Sequence, residues 1–179
     1  MNTSLVTHPF GPLYNAHSRV LLLGSMPSPK SREQNFFYGH PQNRFWKVLS
    51  AVLDEPLPVT IEEKRALCLR RGVALWDVLA SCEIAGASDA SIKNPTANDF
   101  SPIFSQAKIR AVFTTGTAAG KLYRSLCEQK TGISAVILPS TSPANAAWTF
   151  ERLVEAYRSI LPYLYEGEDS SQSFSFSTV

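Results

Sequence analysis

The segment 38–46 (YGHPQNRFW) places polar side chains at the expected start of a helix, where a hydrophobic core would not need them. The imidazole of His40 can donate or accept a proton, and the amide of Asn43 can hold a water molecule without adding charge. Both residues could instead cap the helix, a common task at this position. We favour the chemical role for Asn43, and we expect Phe45 and Trp46 to enter the core.

Two other segments place small polar residues directly after apolar runs. GSMPS overlaps the end of the run 19–24, and PSTSPAN follows the run 135–138. A third segment, 116–121 (GTAAGK), has the outline of a phosphate-binding P-loop. Its glycines are one residue too close, however, and Leu122 stands where a Ser or Thr would hold magnesium. We interpret this segment as a tight strand-to-helix turn whose helix N-terminus could meet a phosphate.

The elements that would position these segments follow from hydrophobic patterning. Continuous apolar runs at 19–24, 109–113 and 135–138 predict strands buried on both faces. Helices with one apolar face are predicted between and after them, and Thr60 with Glu63 matches a capping box. Strands alternating with helices predict an α/β fold, a three-layer α/β/α sandwich with a central, mainly parallel sheet.

Ligands of such sheets bind beyond the carboxyl ends of the strands. The loops at those ends are 25–42, 114–117 and 139–145. We expect 73–79 to form a strand that can run into a turn, and we expect 1–18 and 81–101 to be irregular. The chemistry should therefore lie where the three polar loops meet.

Composition limits the class of protein. A chain of 179 residues with 44% hydrophobic and 18% charged residues suits one globular domain, predicted over 1–165. The Ser-rich tail, 166–179, is predicted to be disordered. No apolar run approaches the roughly 20 residues of a membrane helix and no signal peptide is visible, so we expect a cytoplasmic protein. The three cysteines are widely spaced without neighbouring histidines, so we predict no metal and no cofactor.

The motifs GSMPS, YGHPQNRFWKVL and LPSTSPANA, in this order, resemble those of the uracil-DNA glycosylase superfamily over about 19–161. HP-x-NRFWKV and LVEAYR are similar to the mismatch-specific uracil-DNA glycosylases. GSMPS and STSPAN are similar to the family 6 hypoxanthine-DNA glycosylases. Uracil-releasing members carry Asn or Asp where this chain has Met26, and His or Asn where it has Ser140. The resemblance therefore favours the hypoxanthine branch.

The resemblance implies a monofunctional DNA glycosylase that releases deaminated bases, preferentially hypoxanthine from deoxyinosine, and leaves an abasic site for base excision repair. Its implied partner is double-stranded DNA, with single-stranded DNA left open, and we expect a monomer associated with the nucleoid. The catalytic asparagine of the YGHPxN segment carries over to Asn43, and His40 is the competing catalytic residue. No lysine lies within the motifs, which disfavours Schiff-base chemistry, although Lys30 is close.

The resemblance also implies two sets of binding residues. Those predicted to bind the flipped base are Gly24, Ser25, Met26, Pro27, Phe37, Tyr38 and Ser140. Tyr38 is the predicted stacking platform and Phe37 the second choice. Those predicted to bind DNA are Ser28, Lys30, Arg44, Thr115, Gly116, Thr117, Ser142, Pro143, Ala144 and Asn145. The turn 142–145 is expected to enter the minor groove as a weak wedge.

Three alternatives remain open at this point. The chain could be a mismatch-specific uracil- or thymine-DNA glycosylase. It could be a nucleosidase, which shares the bond-breaking chemistry but needs no DNA surface. It could also be a non-catalytic module that binds damaged DNA, because a fold alone does not establish activity.

Overall fold

A parallel sheet forms the middle layer of the computed structural model, which describes residues 2–165. Its strands, in spatial order, are β3 (Val73–Asp77), β2 (Val20–Gly24), β6 (Ala111–Thr115) and β7 (Ala135–Leu138). Every neighbouring pair is parallel, and Leu22 lies opposite Leu75 on one side and Phe113 on the other. The predicted parallel sheet is confirmed. The Ser-rich tail, 166–179, lies outside the described residues.

Helices cover both faces of this sheet. They are α1 (Pro29–Gln34), α2 (Phe45–Val52), α3 (Ile61–Arg70), α4 (Ser101–Gln106), α5 (Thr117–Leu126), α6 (Glu128–Thr131), α7 (Phe150–Tyr157) and α8 (Leu161–Leu164). Val20 and Leu22 pack into a core with α2, α3 and α7, whereas Leu21 and Leu23 pack into a second core with α4 and α5. This alternation along one strand produces the predicted three layers.

Local sequence signals set the helix ends as expected. Thr60 Oγ1 accepts a hydrogen bond from the Glu63 backbone N–H at 3.1 Å, and Glu63 Oε2 accepts one from the Thr60 N–H at 3.2 Å. The predicted capping box is therefore present at the start of α3. Gly72 has φ +75° just beyond the end of α3, a conformation that favours glycine.

A second sheet lies where the sequence predicted irregular structure. Its antiparallel strands are β1 (Ser4–Thr7), β4 (Leu79–Ile84) and β5 (Lys93–Ala97), with β4 in the middle. The predictions for 1–18 and 81–101 are wrong in this respect. β1 is short and β5 is mostly exposed with a proline inside it, so neither shows the alternating pattern of a half-buried strand.

The second sheet is attached to the parallel sheet near the carboxyl ends of its strands. Cys82 and Ile84 bury β4 in the second core. The Asn98 side chain donates hydrogen bonds to the Asp77 and Leu79 carbonyls, at 2.9 and 3.1 Å, and so ties the end of β5 to the end of β3. The connection between β4 and β5 contains a single 3-10 turn, Asp89–Ser91. None of the helices within 2–165 has the length and apolar character needed to cross a membrane.

Candidate active site

A small pocket opens at the carboxyl edge of the parallel sheet, with a cavity volume of about 140 Å³. All the residues predicted to bind the base line it: Gly24, Ser25, Met26, Pro27, Phe37, Tyr38 and Ser140. It is also lined by residues predicted for catalysis or DNA binding: Asn43, Ser28, Thr115 and Ser142. The three sequence motifs therefore converge on one cavity, as the strand order predicts.

Asn43 is fixed in the pocket wall through its amide oxygen. Oδ1 accepts hydrogen bonds from the Phe45 backbone N–H at 2.9 Å and from the Thr141 hydroxyl at 2.8 Å. Because a backbone N–H can only donate, the oxygen end of the amide is unambiguous. Both of its lone pairs are in use, and within 2–165 the amide nitrogen has no hydrogen-bond partner. Asn43 thus offers the pocket a donor, which corrects the prediction that its oxygen holds water.

Tyr38 forms another wall of the pocket, with a left-handed backbone at φ 51°. Its ring stacks on Phe45, with centroids 3.7 Å apart and planes 13° from parallel, and its hydroxyl bonds to Thr115 Oγ1 at 3.1 Å. Burial raises the pKa of Tyr38 well above its ordinary value, and the charge of Asp77 adds to the shift. The phenol therefore stays protonated, and a base stacking on this rigid ring would use the face opposite Phe45.

Phe37, the second choice for stacking, belongs mainly to the core. Its side chain packs edge to face against Phe10 and Phe36, with centroids 4.9 and 5.5 Å away. The Trp46 indole N–H also donates to the Phe37 carbonyl at 3.1 Å. Phe37 supports the pocket wall from behind, so Tyr38 remains the better platform.

His40 lies outside the pocket. Its side chain is exposed, its Nδ1 accepts a hydrogen bond from the Gln42 backbone N–H, and its carbonyl accepts one from the Asn43 N–H. Both contacts lie in the turn before α2, so His40 does not cap the helix. The capping alternative fits Asn43, whose Oδ1 accepts the hydrogen bond of the first helical N–H, that of Phe45. Lys30 does not line the pocket, and its ammonium pairs with Glu33 at 3.3 Å.

Arg44 organises the last loop of the site. Its Nη2 donates to the Ser142 and Asn145 carbonyls, each at 3.1 Å, and its Nη1 donates to the Trp148 carbonyl. A planar guanidinium with several donors suits this task, because it holds three carbonyls of one turn at once. The structure therefore gives Arg44 a positioning role in place of the predicted DNA contact.

Asp77 is a carboxylate in the pocket that the motifs did not include. It ends β3, is only 5% exposed, and accepts a hydrogen bond at Oδ2 from His8 Nε2 at 2.7 Å. The Phe10 backbone N–H points at His8 Nδ1, at 3.4 Å, so the ring hydrogen belongs on Nε2. A Cβ at Gly24 would collide with Asp77 Oδ1, so the glycine allows this carboxylate oxygen into the cavity.

Asp89 is a second carboxylate of the pocket, contributed by the 3-10 turn between β4 and β5. Its Oδ1 accepts a hydrogen bond of 2.6 Å from the Ser25 hydroxyl. Asp89 is exposed as a residue, but partial desolvation of its carboxyl in the pocket raises its pKa. The charge of Asp77 raises the pKa further, while the bond from Ser25 acts in the opposite direction. Within residues 2–165 no group of three His, Cys, Asp or Glu side chains is placed to hold a metal ion.

A wider groove of about 920 Å³ adjoins the pocket. The residues predicted for DNA binding that line it are Gly116, Thr117, Ser142, Ala144 and Asn145. Four residues line both cavities: Ala87, Asp89, Ser140 and Ser142. The Trp148 ring, braced by the Arg152 guanidinium at 4.2 Å, gives the groove an aromatic wall. The pocket and the groove therefore adjoin along these four shared residues.

Sequence reasoning missed the two carboxylates for different reasons. Asp77 could have been found, because it follows the apolar run VALW and so stands at the carboxyl end of a strand. Asp89 gave no such signal, because it lies in a polar segment that reaches the pocket only through the pairing of β4 with β5. The positions of both depend on the fold as a whole.

The chain is similar to known proteins over most of its length. The model of the Uracil DNA glycosylase superfamily matches residues 12–162. A hypoxanthine DNA glycosylase of Methanosarcina acetivorans is 30% identical over 150 residues, covering 83% of this chain and 94% of that protein. One from Methanosarcina barkeri is 32% identical over 138 residues, covering 76% and 86%.

A solved structure supports the same grouping. The solution NMR structure of a candidate uracil DNA glycosylase from Methanosarcina acetivorans superposes with a TM-score of 0.71 at 27% identity. The match covers 85% of this chain and 96% of that chain. Sequence and fold therefore agree over nearly the same region.

Proposed function

The chain belongs to the uracil DNA glycosylase superfamily, and on that premise we propose that it releases hypoxanthine from deoxyinosine in DNA. The observation that carries this proposal is the pairing of a fixed acceptor with a fixed donor in one small pocket. Asp77 supplies the acceptor and the Asn43 amide nitrogen supplies the donor. His8 holds the other carboxylate oxygen of Asp77, and two donors hold the amide oxygen of Asn43. The Asp77 oxygen therefore stays an acceptor and the Asn43 nitrogen stays a donor.

Hypoxanthine matches this pair along its Watson–Crick edge. Its N1–H is a donor suited to Asp77, and the neighbouring O6 is an acceptor suited to Asn43. Adenine carries the opposite pattern, with an acceptor at N1 and donors at N6. At the same position, adenine would bring its N1 lone pair against a carboxylate and its amino group against an amide N–H. The pocket therefore distinguishes adenine from its deamination product.

Uracil has a similar pattern of donors and acceptors on its Watson–Crick edge, but the distance from that edge to its sugar is different. A pyrimidine is shorter than a purine from the Watson–Crick edge to the glycosidic nitrogen. When that edge is engaged, the sugar of deoxyuridine is displaced from the groups that act on C1′. A misplacement of about 1 Å can lower a rate by about 100-fold. We therefore expect uracil to be a poor substrate.

The bond that breaks joins C1′ of the sugar to N9 of the base. Its cleavage passes through an oxocarbenium-like sugar, and negative charge develops on the departing base. The Asn43 amide N–H at O6 stabilises that charge, because the donor is already oriented before reaction. The base reaches the pocket only after it is flipped out of the duplex, where Tyr38 provides a stacking surface.

The groove is the proposed seat of the DNA strand. The turn 142–145 would brace the gap left by the flipped base, and its support is that Arg44 clamps it and that Ser142 lines both the pocket and the groove. Gly116 and Thr117 present the N-terminus of α5 to the same groove, where backbone N–H groups can meet a phosphate. Double-stranded DNA is the proposed substrate, because the brace is useful only when a gap is left in a stack.

The stacking role of Tyr38 makes a testable prediction. Tyr38→Ala should lower the single-turnover rate on deoxyinosine DNA by about 5- to 160-fold, since base–aromatic stacking contributes roughly 1–3 kcal/mol. Tyr38→Phe keeps the ring and loses only the bond to Thr115, so its rate should fall much less. Equal losses in the two folded variants would show that the hydroxyl matters and the stacking does not.

A panel of labelled substrates tests the proposed function. Duplexes containing hypoxanthine, uracil, xanthine or thymine opposite each normal base are incubated with excess enzyme in EDTA, and abasic sites are then cleaved with alkali. We expect hypoxanthine to be released fastest and uracil slowly. Efficient release of uracil with none of hypoxanthine would contradict the proposal. Release from free deoxyinosine but not from duplex would instead identify a nucleosidase.

A further inference from the structure

Asp89 stands at the junction between the two cavities of the site. Along with Ser140 and Ser142, it is one of the few residues that line both the pocket and the groove, and it is the only carboxylate among them in the described part of the chain. With the base in the pocket and the strand in the groove, the sugar that connects them must lie at this junction. The carboxylate is therefore placed beside C1′, whereas Asp77 lies deeper, at the end of β3.

We propose that Asp89 is a catalytic residue that orients the attacking water at C1′ and stabilises the positive charge of the sugar. This inference rests on the proposed function and deepens it. The sequence motifs contain no carboxylate for this task, and the Asn43 oxygen is already occupied. Asp89 supplies the acceptor that the hydrolysis otherwise lacks.

Ser25 holds the carboxylate in one orientation. Its hydroxyl donates to Asp89 Oδ1 at 2.6 Å, and its own carbonyl accepts a hydrogen bond from the Leu79 backbone N–H at 3.1 Å. Ser25 is buried, so it is anchored between β2 and β4 while it contacts the turn that carries Asp89. Oδ2 of Asp89 is left for the water, and Ser25 acts as a positioning residue.

The charge of Asp89 is hard to explain by binding alone. A carboxylate at the mouth of a groove that receives a polyanion opposes DNA binding, because like charges repel. The same charge is favourable once the sugar becomes cationic. Interactions that are stronger in the transition state than in the ground state are the ones that accelerate a reaction.

The step balances as a hydrolysis. The C1′–N9 bond breaks, and its electron pair leaves with hypoxanthine as an anion held by Asn43. The water oxygen forms a new bond to C1′ while one water proton passes to the Asp89 carboxylate. That proton returns to solvent, and the departed base takes up a proton from solvent. The products are an abasic site and neutral hypoxanthine.

The ionisation of Asp89 fits this role and gives it a pH signature. Burial and the charge of Asp77 raise the pKa of Asp89, the hydrogen bond from Ser25 acts in the opposite direction, and Cys82 is a further titratable group that lies near Asp89. The carboxylate is the active form, so the rate should fall as the pH drops through the raised pKa of Asp89. This acid limb should begin at a higher pH than for an ordinary aspartate, and it should be absent from the residual activity of Asp89→Asn.

The test compares Asp89→Asn with the wild type under single-turnover conditions on deoxyinosine duplex. Loss of a general base typically costs about 10²- to 10⁴-fold, so we expect a fall of about 100-fold or more. Binding is measured separately with a duplex containing 2′-fluoro-2′-deoxyinosine, whose fluorine slows formation of the cationic sugar. Its affinity should be unchanged or stronger, because a negative charge has left the groove.

Two further variants test the positioning bond from Ser25 and control for the loss of one negative charge. Ser25→Ala removes the positioning bond and should lower the rate about tenfold, roughly the worth of a hydrogen bond to a charged group, without weakening binding. Asp54→Asn is the matched control, because it changes an exposed aspartate whose φ of 53° asparagine also tolerates. Its rate should equal that of the wild type.

Each outcome decides between the two claims. A folded Asp89→Asn variant within threefold of the wild-type rate, or one whose whole deficit lies in DNA affinity, would overturn the role of Asp89 and leave the proposed function standing. If the wild type releases another base, the same comparison is made on that base, because the role concerns the sugar. No base release from any duplex would overturn both claims.

Discussion

Asn43→Ala is expected to lower the single-turnover rate of hypoxanthine release by about 100- to 1,000-fold, the usual cost of losing one donor to a developing anion. Affinity for the uncleavable deoxyinosine duplex should change much less, because the amide faces the base and not the phosphates. The fold should survive, because losing the bonds to the Phe45 N–H and the Thr141 hydroxyl is comparable to removing a helix N-cap, which costs about 0.5–2 kcal/mol. Circular dichroism would verify this.

Asn43→Asp separates the two roles that the side chain could have. If the amide oxygen held the water, as the sequence predicts, a carboxylate would retain part of the activity. The structure shows the oxygen occupied by two donors, so the free end of Asp would be an acceptor facing the base. We therefore expect a loss at least as large as for alanine. Substantial activity of this variant would restore the water-holding role.

Two neighbours of Asn43 serve as controls in the same assay. His40→Ala tests the competing catalytic residue, and the exposed position of His40 predicts a rate near that of the wild type. Gln42→Ala removes an exposed side chain of the same segment and should have no effect. A loss for His40→Ala as large as that for Asn43→Ala would transfer the leaving-group role to the histidine.

Asp77→Asn is expected to weaken the distinction between hypoxanthine and adenine. A site built to bond one edge can reject the mismatched analogue by about 10⁴-fold. Because His8 Nε2–H holds the amide oxygen of the variant, its amide N–H faces the base as a donor, and release of hypoxanthine should fall about 10- to 100-fold, as expected for a lost bond to a charged group. The measured quantity is the ratio of rates on otherwise identical deoxyinosine and deoxyadenosine duplexes.

Two considerations separate an effect on base selectivity from a general loss of structure or charge. His8 donates to Asp77, and it can equally donate to the amide oxygen of the variant, so the fold should persist. Asp54→Asn controls for the loss of one negative charge and should leave the ratio of rates unchanged. An Asp77→Asn enzyme with wild-type selectivity would show that base discrimination resides elsewhere in the pocket.

The parallel sheet and its ligand edge could be predicted because their signals are local. Runs such as RVLLLG and AVIL are apolar on both faces, the pattern of parallel strands. The prediction that 135–138 is buried on both faces is wrong, because β7 is an edge strand whose Val136 and Ile137 side chains are each 48% exposed. The capping box of Thr60 and Glu63 is likewise complete within four residues. Because the strands are parallel, the loops at their carboxyl ends must meet, so the pocket lining followed from the fold class.

The side-chain contacts within the site could not be predicted, because they depend on residues far away in the sequence. The Asn43 oxygen is occupied because Thr141 arrives from a distant loop. Arg44 faces inward because Ser142, Asn145 and Trp148 each supply a carbonyl. Asp89 lies in the turn before β5, and this turn reaches the site only because β5, a mostly polar and exposed strand, pairs with β4. Hydrophobic periodicity carries no information about such contacts, since none of them alters the apolar pattern of its own segment.

The central claim is that this chain hydrolyses the glycosidic bond of deoxyinosine in DNA. The most direct measurement quantifies free hypoxanthine by mass spectrometry after incubation of wild-type protein with a deoxyinosine duplex in EDTA, alongside the number of abasic sites. We expect one hypoxanthine released per abasic site, an intact strand before alkali, and no base released from the matched deoxyadenosine duplex. Tight binding to the deoxyinosine duplex without any free hypoxanthine would contradict the central claim.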